Sequence, residues 1–107
     1  MSHVLPALVS KIVFAHEAWI VGSAAKPSVD FKKVRDYDVL VPYSHWQQAC
    51  MLIPSDAKPN TFGGFKFMSE GREVDCWPGD LGWLMVNSCS KWAWHPRTNA
   101  RWRREDT

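Results

Sequence analysis

Hydrophobic positions along the chain switch between two periods, and the switches divide it into elements. Val4, Leu5, Leu8, Val9, Ile12 and Val13 recur at helical spacing. They predict a helix that ends near Ala18, with Ser2 as a cap and Pro6 tolerated near the first turn. Trp19-Ile20-Val21 reads as a short buried strand closed by Gly22-Ser23. Residues 24–35 are polar, with Lys26, Pro27, Lys32, Lys33 and Arg35, and read as a loop. From Asp36 to Val41 the alternation is strict. Tyr37, Val39 and Val41 take one face of a strand, and Asp36, Asp38 and Leu40 take the other.

Ser44 with Gln47 matches a capping box, and Trp46, Ala49, Cys50 and Ile53 supply the helical stripe behind it. Residues 54–61 read as a second loop. Phe65 and Phe67 alternate, as do Val74 and Cys76, and Ser69-Glu70-Gly71 lies between, which predicts a hairpin. Pro78-Gly79 ends its second strand. Asp80 then caps a last short helix through Leu81, Leu84 and Met85, and after Ser90 the pattern fades. Strands and helices mix without regular alternation. The expected fold is therefore α+β, a small mixed β-sheet with helices packed mainly on one face. We expect a domain over residues 1–90 and a basic, Trp-containing tail over 91–107.

Composition refines this picture at three points. The chain has 107 residues, which suits one domain, and its seven Trp let few side chains fill a small core. The net charge is +2. Between 91 and 107, five basic residues against two acidic ones give +3, so the first 90 residues carry −1. Three cysteines, Cys50, Cys76 and Cys89, without paired spacing argue against a disulfide framework or a structural zinc site. A reducing, cytoplasmic setting is expected, with no membrane partner, because no apolar run is long enough to span a bilayer. The apolar N-terminal stretch lacks a preceding basic residue and is broken by Lys11, His16 and Glu17, so it is read as a helix of the mature protein.

The candidate chemistry lies in three carboxylates. Asp36 and Asp38, two apart on a strand, share a face. Like charges held together are costly, and a hard divalent cation with oxygen ligands is the simplest compensation. Asp75 shares its face with Glu73 and Trp77, and completes a triad if its strand pairs beside that of Asp36. Three carboxylates with triphosphate oxygens suit two Mg²⁺ ions about 3.5–4 Å apart. Gly22 allows close backbone approach to a phosphate, and the Ser23 hydroxyl can bind its oxygens.

Ile20-Val21-Gly22-Ser23-Ala24-Ala25, Arg35-Asp36-Tyr37-Asp38-Val39-Leu40-Val41 and Glu73-Val74-Asp75-Cys76-Trp77 together resemble the polymerase-beta-type nucleotidyltransferase superfamily. That family places a Gly-Ser turn after the first strand, an Asp-x-Asp pair on the next and a third Asp on a later strand. The resemblance spans residues 4–90 by element order, with about a dozen positions carrying the motif. It implies a nucleotidyltransferase-like core and Mg²⁺-dependent transfer of a nucleoside monophosphate from a nucleoside triphosphate to a hydroxyl. Asp36 and Asp38 would ligate both metals, and Asp75 the catalytic one, with a part in deprotonating the acceptor. Gly22 and Ser23 would hold the triphosphate, with Lys26 and Arg35 as cationic contacts.

The chain departs from the family pattern in holding Ala25-Lys26 and Arg35 where small members carry an Arg and a Ser. It also lacks the helical domain that many members use to choose an acceptor. The acceptor (an RNA end, a protein hydroxyl or a small molecule) is open, and a partner protein or homo-oligomer is a route to choosing it. Two alternatives stand beside this reading. One is a catalytically silent nucleotide-binding or regulatory module of the same fold. The other is an RNA-binding protein whose tail interleaves Trp92, Trp94 and Trp102 with Lys91, Arg97, Arg101, Arg103 and Arg104.

Overall fold

In a computed structural model, residues 5–104 are described. They form an α+β fold with a mixed sheet of seven strands and three α-helices. The strands are β1 (Trp19–Val21), β2 (Asp36–Val41), β3 (Lys58–Pro59), β4 (Phe65–Ser69), β5 (Arg72–Pro78), β6 (Trp92–His95) and β7 (Ala100–Arg103). The helices are α1 (Ala7–Ala15), α2 (Tyr43–Cys50) and α3 (Leu81–Asn87). The sheet order is β3-β4-β5-β2-β1-β6-β7. Of its neighbouring pairs only β2 and β5, at the centre, are parallel; β1 runs antiparallel to β2.

The alternation of β2 decides how the layers stack. Tyr37, Val39 and Val41 lie on the face covered by α1 and α2, with Val74 and Cys76 of β5 beside them. Val9, Ile12 and Val13 of α1 are fully buried there, as the helical spacing predicts, and Ala49 of α2 joins them. The opposite face is covered over part of its length by α3, where Met85 packs on Val21, Leu40, Trp77 and Ala93. Helices therefore sit on both faces, two on one and one on the other.

Several local expectations are corrected. The first helix stops at Ala15 rather than near Ala18, and Glu17 turns the chain with φ 54°. Its N-cap is Pro6, which has no side-chain donor or acceptor, and the expected cap Ser2 lies outside the described residues. The Ser44/Gln47 capping box does not form, because α2 begins at Tyr43 behind Pro42, whose fixed φ already suits the approach to a helix. Asp80 does cap α3, its Oδ2 accepting from Trp83 N at 2.9 Å. The Glu70-Gly71 turn has φ 50° and 76°, the two positive values that a tight hairpin demands.

The largest departure concerns the segment read as a tail. Residues 92–95 and 100–103 form an antiparallel hairpin that extends the sheet from β1. Trp94 is fully buried in the α1/α2 core, with its Nε1 donating to Asn99 Oδ1 at 3.0 Å. The sequence signal fails because the strand is written in Trp, Ala and His rather than in β-branched residues, and its partner Ala100–Arg103 is exposed throughout. A short strand, β3, also appears inside the stretch read as the second loop.

Candidate functional site

The parallel pairing of β2 and β5 sets Asp36 opposite Glu73, Asp38 opposite Asp75 and Leu40 opposite Trp77. Residues paired across adjacent strands share a face. The face opposite the α1/α2 core therefore carries four carboxylates at one end and an apolar Leu40–Trp77 pair at the other. The antiparallel β1 places Val21 opposite Asp38, which brings the Gly22 bend to the acidic end.

Gly22 takes φ 82°, a conformation that L side chains rarely adopt, and a Cβ there would lie 3.5 Å from Asp38 Oδ2. Gly22–Ala25 form a four-residue 3-10 turn, too short to build the macrodipole of a true helix. Ala24 and Ala25 are buried beneath it. Ser23 is exposed and, with Lys33, Arg35 and Asp36, lines a cleft of about 290 Å³. Arg35 thus stands at the acidic end. Lys26 is exposed but is not one of the cleft's lining residues; Lys33 is, and sequence reasoning passed over it.

Electrostatics single out Asp38. Its pKa is raised from 3.8 to about 6, first by burial and then by the charges of Asp75 and Asp36, with Lys66 pulling the other way. The carboxylates therefore feel one another, and the cationic side chains nearby leave the group short of positive charge. Lys66 of β4 sits 2.7 Å from Glu73 and 3.9 Å from Asp75. Asp75 Oδ1 accepts from Asn60 Nδ2 at 3.1 Å.

Asn60 and Lys66 are the two neighbours of the acids that the sequence reading did not include. Asn60 organises its own loop. Its Oδ1 accepts from the backbone N–H groups of Phe62 and Gly64 while its amide holds Asp75. Gly64 is required there for a different reason than ligand approach: a Cβ would fall 2.0 Å from the Cys76 carbonyl oxygen. The signal for Asn60 is an Asn three residues before the Gly63-Gly64 pair that precedes a strand, which marks a structured turn.

Among the described residues, no three His, Cys, Asp or Glu side chains are gathered closely enough, as they stand, to hold a metal ion. The donor chemistry nonetheless fits a hard divalent cation. Asp36, Asp38 and Asp75 offer oxygen ligands, and a cation would offset the repulsion from Asp75 and Asp36 that adds to burial in raising the pKa of Asp38. The histidines and the buried cysteine have other surroundings. His45 packs edge-on to His16, and His95 lies 3.4 Å from Glu17. Cys76 is buried, its thiol pushed up to about 12 chiefly by desolvation.

The basic C-terminal residues stay exposed or half-buried but make contacts within the chain. Arg101 and Arg103 lie over the rings of Trp94 and Trp92, at 5.1 and 5.5 Å. Arg97 is 3.3 Å from Glu17, and Arg104 donates to the Met85 and Ser88 carbonyls at the end of α3. Among the described residues no helix is long and apolar enough to cross a membrane. No protein-family model matches the chain, and no curated protein or solved structure matches it.

Proposed function

We propose that the chain is a Mg²⁺-dependent nucleotidyltransferase that moves a nucleoside monophosphate from a nucleoside triphosphate to a hydroxyl acceptor. The observation that carries this reading is the register that sets Asp38 beside Asp75 on parallel strands, with Asp36 two residues away and the Gly22 bend against Asp38. Acids from two separate strands and a glycine bend lie toward the same end of one face.

Asp36, Asp38 and Asp75 would be the ligands. Mg²⁺ held by them would neutralise phosphate charge and polarise the reacting phosphoryl group. The bend at Gly22 lets a phosphate approach the backbone, and the Ser23 hydroxyl binds its oxygens. Arg35 and Lys33 offset the charge of the outer phosphates. Lys26 stays a candidate contact as a point charge. The acceptor oxygen forms a bond to the α-phosphorus as the bond to the bridging oxygen breaks and pyrophosphate leaves. Asp75, held by Asn60, takes the acceptor proton.

The acceptor is an RNA end, a protein hydroxyl or a small molecule, and a partner protein or second copy supplies whatever contacts the chain lacks. A silent nucleotide-binding module on the same site is the alternative, and one assay separates the two. The protein is incubated with each labelled nucleoside triphosphate, Mg²⁺ and candidate acceptors. Label transfer that vanishes in Asp36→Ala and Asp38→Ala supports the enzyme. Transfer that persists in both variants removes it. RNA binding through residues 91–107 draws less support, since Arg97, Arg101 and Arg104 are already engaged within the chain.

A further inference from the structure

The face that carries the acids continues, past Leu40 and Trp77, into a cleft of about 560 Å³. That volume lies within the range of small-molecule sites. Four of its lining residues are aromatic: Phe62 lies over Trp77 with ring centroids 4.9 Å apart, and Tyr43 and Trp83 join them, beside Leu40, Leu84 and the Asp80 carboxylate. Trp77 belongs to the core, at 8% exposure, but the other three point their rings to solvent: Tyr43 is 69% exposed, Phe62 56% and Trp83 66%. Three exposed large aromatics gathered at one cleft forgo burial that the fold would otherwise reward.

The sequence spacing fixes how far this cleft is from the acids. Leu40 follows Asp38 by two residues, and Trp77 follows Asp75 by two, so the aromatic floor begins about 7 Å along the strands from the paired carboxylates. Ser23, Lys33 and Arg35 lie toward the other end, beside Asp36. A cleft lined by Lys33 and Arg35 together with the acids Asp30 and Asp36, the paired carboxylates and an aromatic cleft thus succeed one another from Asp36 toward Trp77. A nucleoside triphosphate has the same order: outer phosphates, α-phosphate, then a flat ring beyond the ribose.

We infer that the cleft between Phe62, Tyr43 and Trp83 is the subsite for the nucleobase of the triphosphate, held by stacking. This rests on the nucleotidyltransferase reading and adds the occupant of a second part of the face. Stacking on aromatic side chains tolerates any base, because every base has a π face. The cleft therefore confers affinity for a nucleoside over bare triphosphate, with weak discrimination among bases.

Phe62→Ala and Trp83→Ala are suitable probes, since both side chains are exposed and lie outside the acids. Equilibrium dialysis with Mg²⁺ compares a labelled non-hydrolysable ATP analogue with inorganic tripolyphosphate, on the wild type, on both variants and on Asp38→Asn. Each aromatic variant should weaken the nucleotide by roughly tenfold and leave tripolyphosphate unchanged. Asp38→Asn should weaken both ligands. If the aromatic variants bind the nucleotide like the wild type while Asp38→Asn binds both ligands poorly, the base subsite is wrong and the transferase reading stands. No binding of nucleotide to the wild type overturns both.

Discussion

The two faces of the β2–β5 pair are built from the same two strands, yet they are opposite in chemistry. On the α1/α2 side, Tyr37, Val39, Val41, Val74 and Cys76 are all fully buried. On the other side the same strands present Asp36, Asp38, Glu73 and Asp75, and α3 covers only the Leu40–Trp77 end. Four carboxylates side by side on a central strand pair repel one another, and only in part do the exposure of Asp36 and the Lys66–Glu73 ion pair relieve this. One face holds the core, and the other is the face to which the proposed function assigns a ligand.

The sharpest way to break that contrast is to delete from each face in turn. Trp94→Ala removes a fully buried indole from the packed side and should cost about 3–5 kcal/mol, read from the urea midpoint. A loss below 1 kcal/mol would show that this side is not the structural one. Asp36→Ala and Asp38→Ala should do the reverse, lowering transfer by about 10³-fold with no loss of stability. A variant that unfolds would put the acids in the structural set.

A smaller effect tests the cost of the acidic face directly. Asp38 has a pKa of about 6 in the folded chain, above its ordinary value of 3.8, chiefly through burial and then through its acidic neighbours. The folded state therefore holds more protons than the unfolded state between pH 4 and 6. The stabilisation from a neutral Asp38 is complete below about pH 4 and is lost as pH rises through 6. Asp38→Asn should raise stability at pH 8 by about 1–2 kcal/mol, a figure reduced for solvent screening, and change little at pH 4. Denaturation at both pH values checks it, and equal effects at the two would remove the charge explanation. Millimolar Mg²⁺ should stabilise the wild type at pH 8 and the Asp38→Asn variant less, as ligand linkage requires. The smallest expected change is Lys26→Ala, within about 0.5 kcal/mol on stability, because the side chain is solvent-exposed.

Much of this contrast was legible in the chain before folding. Period-two alternation alone assigns Tyr37, Val39 and Val41 to one face and Asp36, Asp38 and Leu40 to the other. The helical stripe of Val9, Ile12 and Val13, the Glu70-Gly71 turn and the Asp80 cap follow from equally local rules. Such features depend on residues within a few positions of one another, where backbone sterics and hydrogen bonding leave few choices.

What tertiary structure alone decided is which distant residues meet. Nothing local to Asp75 specifies that β5 pairs with β2, in parallel and in the register that sets it opposite Asp38. Nothing near Asn60 announces a bond to a carboxylate fifteen positions on. Nor does a polar, Trp-rich C-terminus reveal that it will add two strands beside β1. Alternation fixes the direction in which a side chain points. Strand order is selected by the burial of the whole sheet at once, a sum over the chain that no short window of residues contains.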